Sequence, residues 1–194
     1  MNSSDIAALP ARQRILQTAH DLFYRDGIRA TGIDRVIAEA KVTKVTFYRS
    51  YPSKNDLIHA FLAFRHQRWM AWLREALARH QAAGVAPQQA LLNSLAEWWQ
   101  APDYRGCAFI NSAAELGGAD PQVLQTVREH KGDMTEVFMQ LLPEGPSRAQ
   151  RAQALALAVD GAIVHAQMGA PVETLLQTLN LLVAPLFDPD NASR

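Results

Sequence analysis

The sequence predicts an all-α protein, a small N-terminal unit of three helices followed by a larger helical bundle. Three observations carry that prediction. Apolar residues recur with a period near 3.6 almost throughout, no segment alternates at period 2 over a convincing length, and proline, glycine and capping residues cut the periodic pattern at intervals.

The first helix is expected over 11–26. It follows Pro10, a good first-turn residue, and lines Ile15, Leu16, Ala19, Leu22 and Phe23 along one face before Gly27 offers a left-handed stop. Thr31 and Asp34 have capping-box spacing ahead of a short helix from Ile33 to Ala40. Lys41 and Val42 interrupt it, and the Thr43 hydroxyl can cap a second short helix through Tyr48. Pro52 ends this unit, and Ser53 with Asp56 repeats the capping spacing at the head of a long helix carrying Leu57, Ile58, Phe61, Leu62, Trp69, Trp72, Leu73 and Leu77. Beyond Gly84, helices are expected from Pro87 to Gln100, Cys107 to Leu116, Pro121 to Leu142, Ser147 to Met168 and Pro171 to Leu186. Asp120 and Ser147 serve as caps, and Asp188 to Arg194 form a polar tail. The domain boundary falls after Pro52, giving 1–52 and 53–194.

The charges add to zero, yet they are unevenly placed. Residues 1–65 hold 10 Lys and Arg against 6 Asp and Glu, whereas residues 66–194 hold 9 against 13. A basic head on an acidic body is the layout expected if the head alone meets phosphates. No stretch approaches the roughly 18 apolar residues of a membrane span, and the first ten residues lack the basic and apolar regions of a secretion signal, so a cytoplasmic location is expected. The single cysteine, Cys107, leaves no intrachain disulfide, and the six histidines show no metal-ligand spacing, so neither a metal nor another cofactor is expected.

Residues 33–48 have the parts of a helix-turn-helix. Ile33, Val36, Ile37 and Ala40 form the apolar face of its first helix, the small Ala38 permits close approach, and Val42 suits the turn. Its second helix offers Thr43, Lys44, Thr46, Tyr48 and Arg49, hydroxyls and cations that can bond phosphate oxygens or base edges in a DNA major groove. From Arg14 through Leu57 the chain resembles the tetracycline-repressor (TetR) family of bacterial one-component regulators. Ala19, Phe23, Gly27, Thr31, Ile33, Ala38 and the run from Val42 to Leu57 stand in that family's usual order. The resemblance implies a DNA-binding regulator whose contacts to DNA include Thr31, Thr43, Lys44, Thr46, Tyr48 and Lys54, with Arg49 beside them. Two departures stand out. Lys41 occupies a position where the family often has a turn glycine, so a lysine must accept a left-handed conformation, at a cost of order 1 kcal/mol. Val45 replaces a common recognition-helix glycine and adds bulk facing the groove.

For the remaining two thirds the resemblance implies an effector-binding bundle that also dimerises. Small residues Ala154, Leu155, Ala158, Gly161, Ala162 and His165 on one late helix, and Leu175, Leu176, Leu179, Leu182, Val183 and Leu186 on the next, suit a four-helix interface across a two-fold axis. Trp69, Trp72, Trp98, Trp99, Phe109, Asn111, Glu115, Phe138 and His165 are the candidate lining of an effector pocket, although aromatic residues at helical spacing are more often ordinary core. Asn111 and Glu115, one turn apart in an otherwise apolar helix, need partners if buried, a ligand or a structural hydrogen bond. Cys107 is either a redox sensor or a small buried hydrophobe.

Two rival functions follow from other residues. An enzyme would use Cys107 as nucleophile, His130 or His165 as base and Asp160 to orient it, but nothing in the sequence brings these together. A constitutive or architectural DNA-binding protein would lack the ligand and bind with weak sequence preference.

Overall fold

The computed structural model describes residues 9–188, so the expected polar tail beyond Asp188 lies outside the described residues. Every regular element among them is helical: α1 Ala11–Asp26, α2 Ile33–Glu39, α3 Lys44–Ser50, α4 Lys54–Ala82, α5 Pro87–Trp99, α6 Ala108–Leu116, α7 Pro121–Leu141, α8 Arg148–Gln167 and α9 Val172–Val183, followed by a 3₁₀ turn Ala184–Leu186. None is long and apolar enough to cross a membrane.

The chain divides into two compact units. Among the described residues, the first joins residues up to 67 to 108–126, and the second joins 68–107 to those from 127 onward. The first therefore takes in α6 and the start of α7 as well as α1 to α3 and the head of α4.

In the first unit α1 packs on both short helices, and the buried side chains include Ile15, Ala19, Leu22 and Phe23 from α1, Val36 from α2, Phe47 from α3 and Leu57, Ile58, Phe61 and Leu62 from α4. Phe23 meets Phe61 edge-on at 5.4 Å between ring centres. Gly27 ends α1 at φ 91°, outside the comfortable range of other residues, and its amide returns to the Phe23 carbonyl. The start of α2 differs from expectation. Gly32, not Thr31, is its N-cap, with no side-chain cap, because the Thr31 hydroxyl is spent donating to the Gly27 carbonyl at 2.7 Å. Thr43, Ser53 and Asp120 do cap: Thr43 accepts from the Thr46 amide at 3.2 Å, Ser53 from Asp56 at 3.1 Å, and Asp120 from Gln122 at 2.9 Å.

In the second unit α8 and α9 pack on one another and α9 also meets α5. Leu155, Val159 and Ile163 of α8 and Leu175, Leu179 and Val183 of α9 are buried with Leu91 and Leu95 of α5. Ser147 precedes α8 without forming the expected side-chain cap. Arg151, buried, ties the loop after α7 to the 3₁₀ turn after α9 by donating to the carbonyls of Pro143 at 2.7 Å and Leu186 at 2.8 Å.

Candidate nucleic-acid interface

The turn between α2 and α3 is built by a lysine in an unusual place. Lys41 has φ 52°, the one positive φ outside glycine among the described residues. Its amide bonds the Ala38 carbonyl at 3.2 Å and the next amide, of Val42, reaches back to Ile37 at 3.2 Å. This pair of bonds is the Schellman arrangement, which requires a left-handed residue just past the helix end. The sequence therefore anticipated the strain, and the hydrogen bonds show what holds it.

Two arginines of α1 brace the C-termini of α2 and α3. Arg14 Nε donates to the Ala40 carbonyl at 2.7 Å and its Nη2 to Lys41 at 3.4 Å. Arg12 donates to the Ser50 carbonyl at the end of α3, and its guanidinium stacks 4.4 Å from the centre of the Tyr51 ring. Cations at helix C-termini satisfy free carbonyls and oppose the negative end of the helix dipole. Neither role was read from the sequence. A basic residue on α1 could equally have been a solvated charge, and only the fold brings it to the end of another helix.

With its C-terminus held this way, α3 buries Phe47 and turns a mixed polar and apolar surface outward. Thr43, Lys44, Val45, Tyr48 and Arg49 are exposed and Thr46 is half-buried. The Thr43 and Thr46 hydroxyls lie 2.9 Å apart, which fixes the first turn. Lys44 approaches Asp34 of α2 only at 3.9 Å, with both side chains largely in solvent, so it remains available to another anion.

Thr31 and Lys54, expected beside these residues, are placed differently. Thr31 is wholly buried. Lys54 extends its ammonium to the Ile28 carbonyl at 2.7 Å, and burial pushes its pKa below the ordinary lysine value despite the nearby Glu115 carboxylate. Glu115 in turn accepts from the amides of Ile28 at 3.2 Å and Arg29 at 2.8 Å. The segment between α1 and α2 is thus gripped on its carbonyl side by α4 and on its amide side by α6.

That grip also corrects the expected pocket lining. Glu115 has a structural partner of the kind its position demanded, and His165 is exposed on α8. The nine residues fall in different units: Phe109, Asn111 and Glu115 in the first, and Trp69, Trp72, Trp98, Trp99, Phe138 and His165 in the second. Within the second unit Trp69 is the hub of an aromatic cluster. Its ring centre lies 5.3 Å from those of Trp98 and His130 and 6.4 Å from Trp72, while Trp98 meets Tyr104 at 5.3 Å. Tyr104 and His130 were missed because one lies in a loop and the other is a lone histidine. The indole nitrogens of Trp69 and Trp99 are buried without a hydrogen-bond acceptor. Cys107 is buried just before α6, and Asp160 is engaged by the Lys131 ammonium at 2.6 Å. Among the described residues no group of three His, Cys, Asp or Glu side chains is placed to hold a metal ion.

A helix-turn-helix braced by α1 and presenting a basic, hydroxyl-bearing helix is the geometry of a DNA reader. Residues 15–61 match the model for bacterial regulatory proteins of the tetR family. A TetR-family transcriptional regulator from Streptomyces coelicolor is 30% identical over 92% of this chain and 96% of its own, with a TM-score of 0.77. This chain belongs to the TetR family. A putative TetR regulator from Streptomyces avermitilis is 26% identical, covering 92% and 98% of the two chains at a TM-score of 0.74. A cysteine mutant of the TetR-family regulator CifR, complexed with a 26bp double-strand operator DNA, shares the fold at 18% identity, with 90% and 95% coverage and a TM-score of 0.74. No curated protein sequence matches. As a TetR-family member the chain is a DNA-binding transcriptional regulator and not an enzyme.

Proposed function

We propose that this TetR-family regulator is a cytoplasmic repressor that binds a palindromic operator as a homodimer and is modulated by a small-molecule effector. The observation that carries the reading is the outward surface of α3, where Thr43, Lys44, Val45, Thr46, Tyr48 and Arg49 gather, the two threonine hydroxyls bonded to each other and Lys44 only weakly approached by Asp34. Lys44 and Arg49 supply charge for phosphates, and Thr46 and Tyr48 supply groups that can reach base edges. The CifR complex supports DNA as the partner. In this reading Thr31 and Lys54 act from behind the surface, by holding the segment that leads into α2.

Dimerisation is supported by an apolar face left open on the last two helices. Leu157 and Val164 of α8, Met168 at its C-cap, and Leu181 and Leu182 of α9 are exposed, with Ala154, Gly161 and His165 on the same side of α8. On α8 these positions recur at the three- and four-residue intervals of a helix seam. The face differs from the expected one, since Leu155, Ala162, Leu175, Leu179 and Val183 are buried within the chain. Two copies joined through this seam would set two α3 helices on one duplex.

The effector reading is supported by the Trp69 cluster and by the unpaired indole donors of Trp69 within it and of Trp99, which an apolar or amphipathic molecule with an acceptor could satisfy. Helix α4 carries Lys54 in its first turn and Trp69 and Trp72 further along, so it is common to both units. A ligand shifts operator affinity only by its differential affinity for the two states, typically about 5- to 150-fold. The experiment is a tryptophan-fluorescence screen followed by operator titration with each binder. A compound that binds and changes operator affinity supports the reading. Binders that leave it unchanged favour constitutive DNA binding.

A further inference from the structure

We propose that Val45 reads a base: its isopropyl group packs against the C5-methyl of a thymine in each half of the operator. The inference rests on the reading that α3 enters the major groove, and it names what one position of that helix selects.

Val45 is 76% exposed, and among the described residues of the first unit only Tyr48 accompanies it as an exposed large apolar side chain. The others, Leu157, Val164, Met168, Leu181 and Leu182, lie on α8, at its C-cap or on α9, where another copy can cover them. Nothing in its own chain accounts for Val45. It is left largely in solvent, and a β-branched residue lowers helix propensity in a helix only seven residues long.

Its surroundings sharpen the point. Val45, Tyr48 and Arg49 stand at i, i+3 and i+4 and so share one side of α3. Thr43 and Thr46 turn their hydroxyls to each other at 2.9 Å, and Thr43 also caps the helix. The first turn is therefore held in place, and beside the Lys44 ammonium it projects the two methyls of Val45. On base edges in the major groove the one apolar group is the thymine methyl, so a valine carried there is matched by thymine and by no other base.

The test uses the full chain. Duplexes are selected from a random library, and in the selected site each symmetric pair of thymines is replaced by deoxyuridine, which removes only the methyl. Affinities are measured for the unaltered chain and for Val45→Ala. One pair should weaken binding by the unaltered chain about fourfold per half-site, the worth of one buried methyl, and should leave Val45→Ala indifferent. Because Val45 is exposed and alanine is the better helix former, Val45→Ala should unfold at the same temperature or slightly above it, so a loss of thymine preference cannot come from unfolding. Selection that succeeds while every thymine replacement costs both proteins equally overturns this inference and leaves the DNA-reading role of α3 standing. Selection of no sequence at all overturns both.

Discussion

The carboxylate of Glu115 lies 2.8 Å from the amide nitrogen of Arg29, joining α6 to the segment that leads into α2. The same carboxylate takes the Ile28 amide, while Lys54 takes the Ile28 carbonyl. Both polar groups of one residue are thus held by charged side chains from distant parts of the chain. Hydrogen bonds to charged groups contribute about 1.5–3 kcal/mol. Glu115→Ala should therefore lower the unfolding temperature by about 4–8 °C for a loss near 2 kcal/mol, and Glu115→Gln, which keeps an acceptor, by less. Equal losses in the two variants would show that the charge is irrelevant.

Lys54 and Lys44 should separate cleanly. Lys44→Ala is expected to flatten the salt dependence of DNA binding by about one ion per subunit, the signature of a lost phosphate contact. Lys54→Ala removes the bond to Ile28 and is expected to lower the unfolding temperature while leaving the salt slope near that of the unaltered chain. Titrations at several salt concentrations and thermal melts check both.

At Lys41 the strain itself is testable. With φ at 52°, replacement by glycine removes a Cβ penalty of about 1 kcal/mol and keeps both Schellman amide bonds. Lys41→Gly should raise the unfolding temperature by about 2–4 °C in a chain of this size. A fall would mean that the lysine side chain contributes more than the strain costs.

The order in which these features could be read follows the distance over which they form. The Thr43 cap, the stop at Gly27 and the left-handed Lys41 are local, so the residues and their immediate neighbours suffice. Glu115 with Ile28 and Arg14 with Ala40 are pairings across the fold, and no spacing in the sequence points to them. The Thr31 cap failed because the hydroxyl had a second acceptor within reach, the Gly27 carbonyl. On α8 the sequence showed an apolar stripe, but the helix is apolar on two sides. Periodicity alone could not tell that Leu155 faces inward and Leu157 outward.

That outward face yields the next expectation. Leu157→Glu places a charge in the centre of the proposed seam and should convert the dimer to a monomer at micromolar concentration, read by sedimentation, with operator affinity falling alongside. Leu157 is 75% exposed in the single chain, so the fold should survive the change. An unaltered chain that sediments as a monomer would remove the dimer from the account.

A carboxylate paired with cations in the second unit offers a pH check. Hydrogen bonds from Arg79 at 2.8 Å hold the Glu97 carboxyl below its ordinary pKa, with His80 at 2.7 Å assisting. The folded state therefore favours the ionised form. Its contribution is complete above the ordinary carboxylate range and is lost as pH falls through the lowered value. Glu97→Gln should narrow the acid-induced drop in unfolding temperature slightly, since the pair is largely exposed.

The central claim is that the α3 surface binds DNA and discriminates among sequences. The most direct measurement is the affinity of the unaltered chain and of a Lys44→Ala, Arg49→Ala double variant for a selected operator and for a scrambled duplex of equal length. The account predicts that the unaltered chain prefers the operator by a factor of about a thousand or more. It also predicts that the double variant, folding as before, loses at least about tenfold on both duplexes. Equal affinity of the two proteins for both duplexes would contradict it.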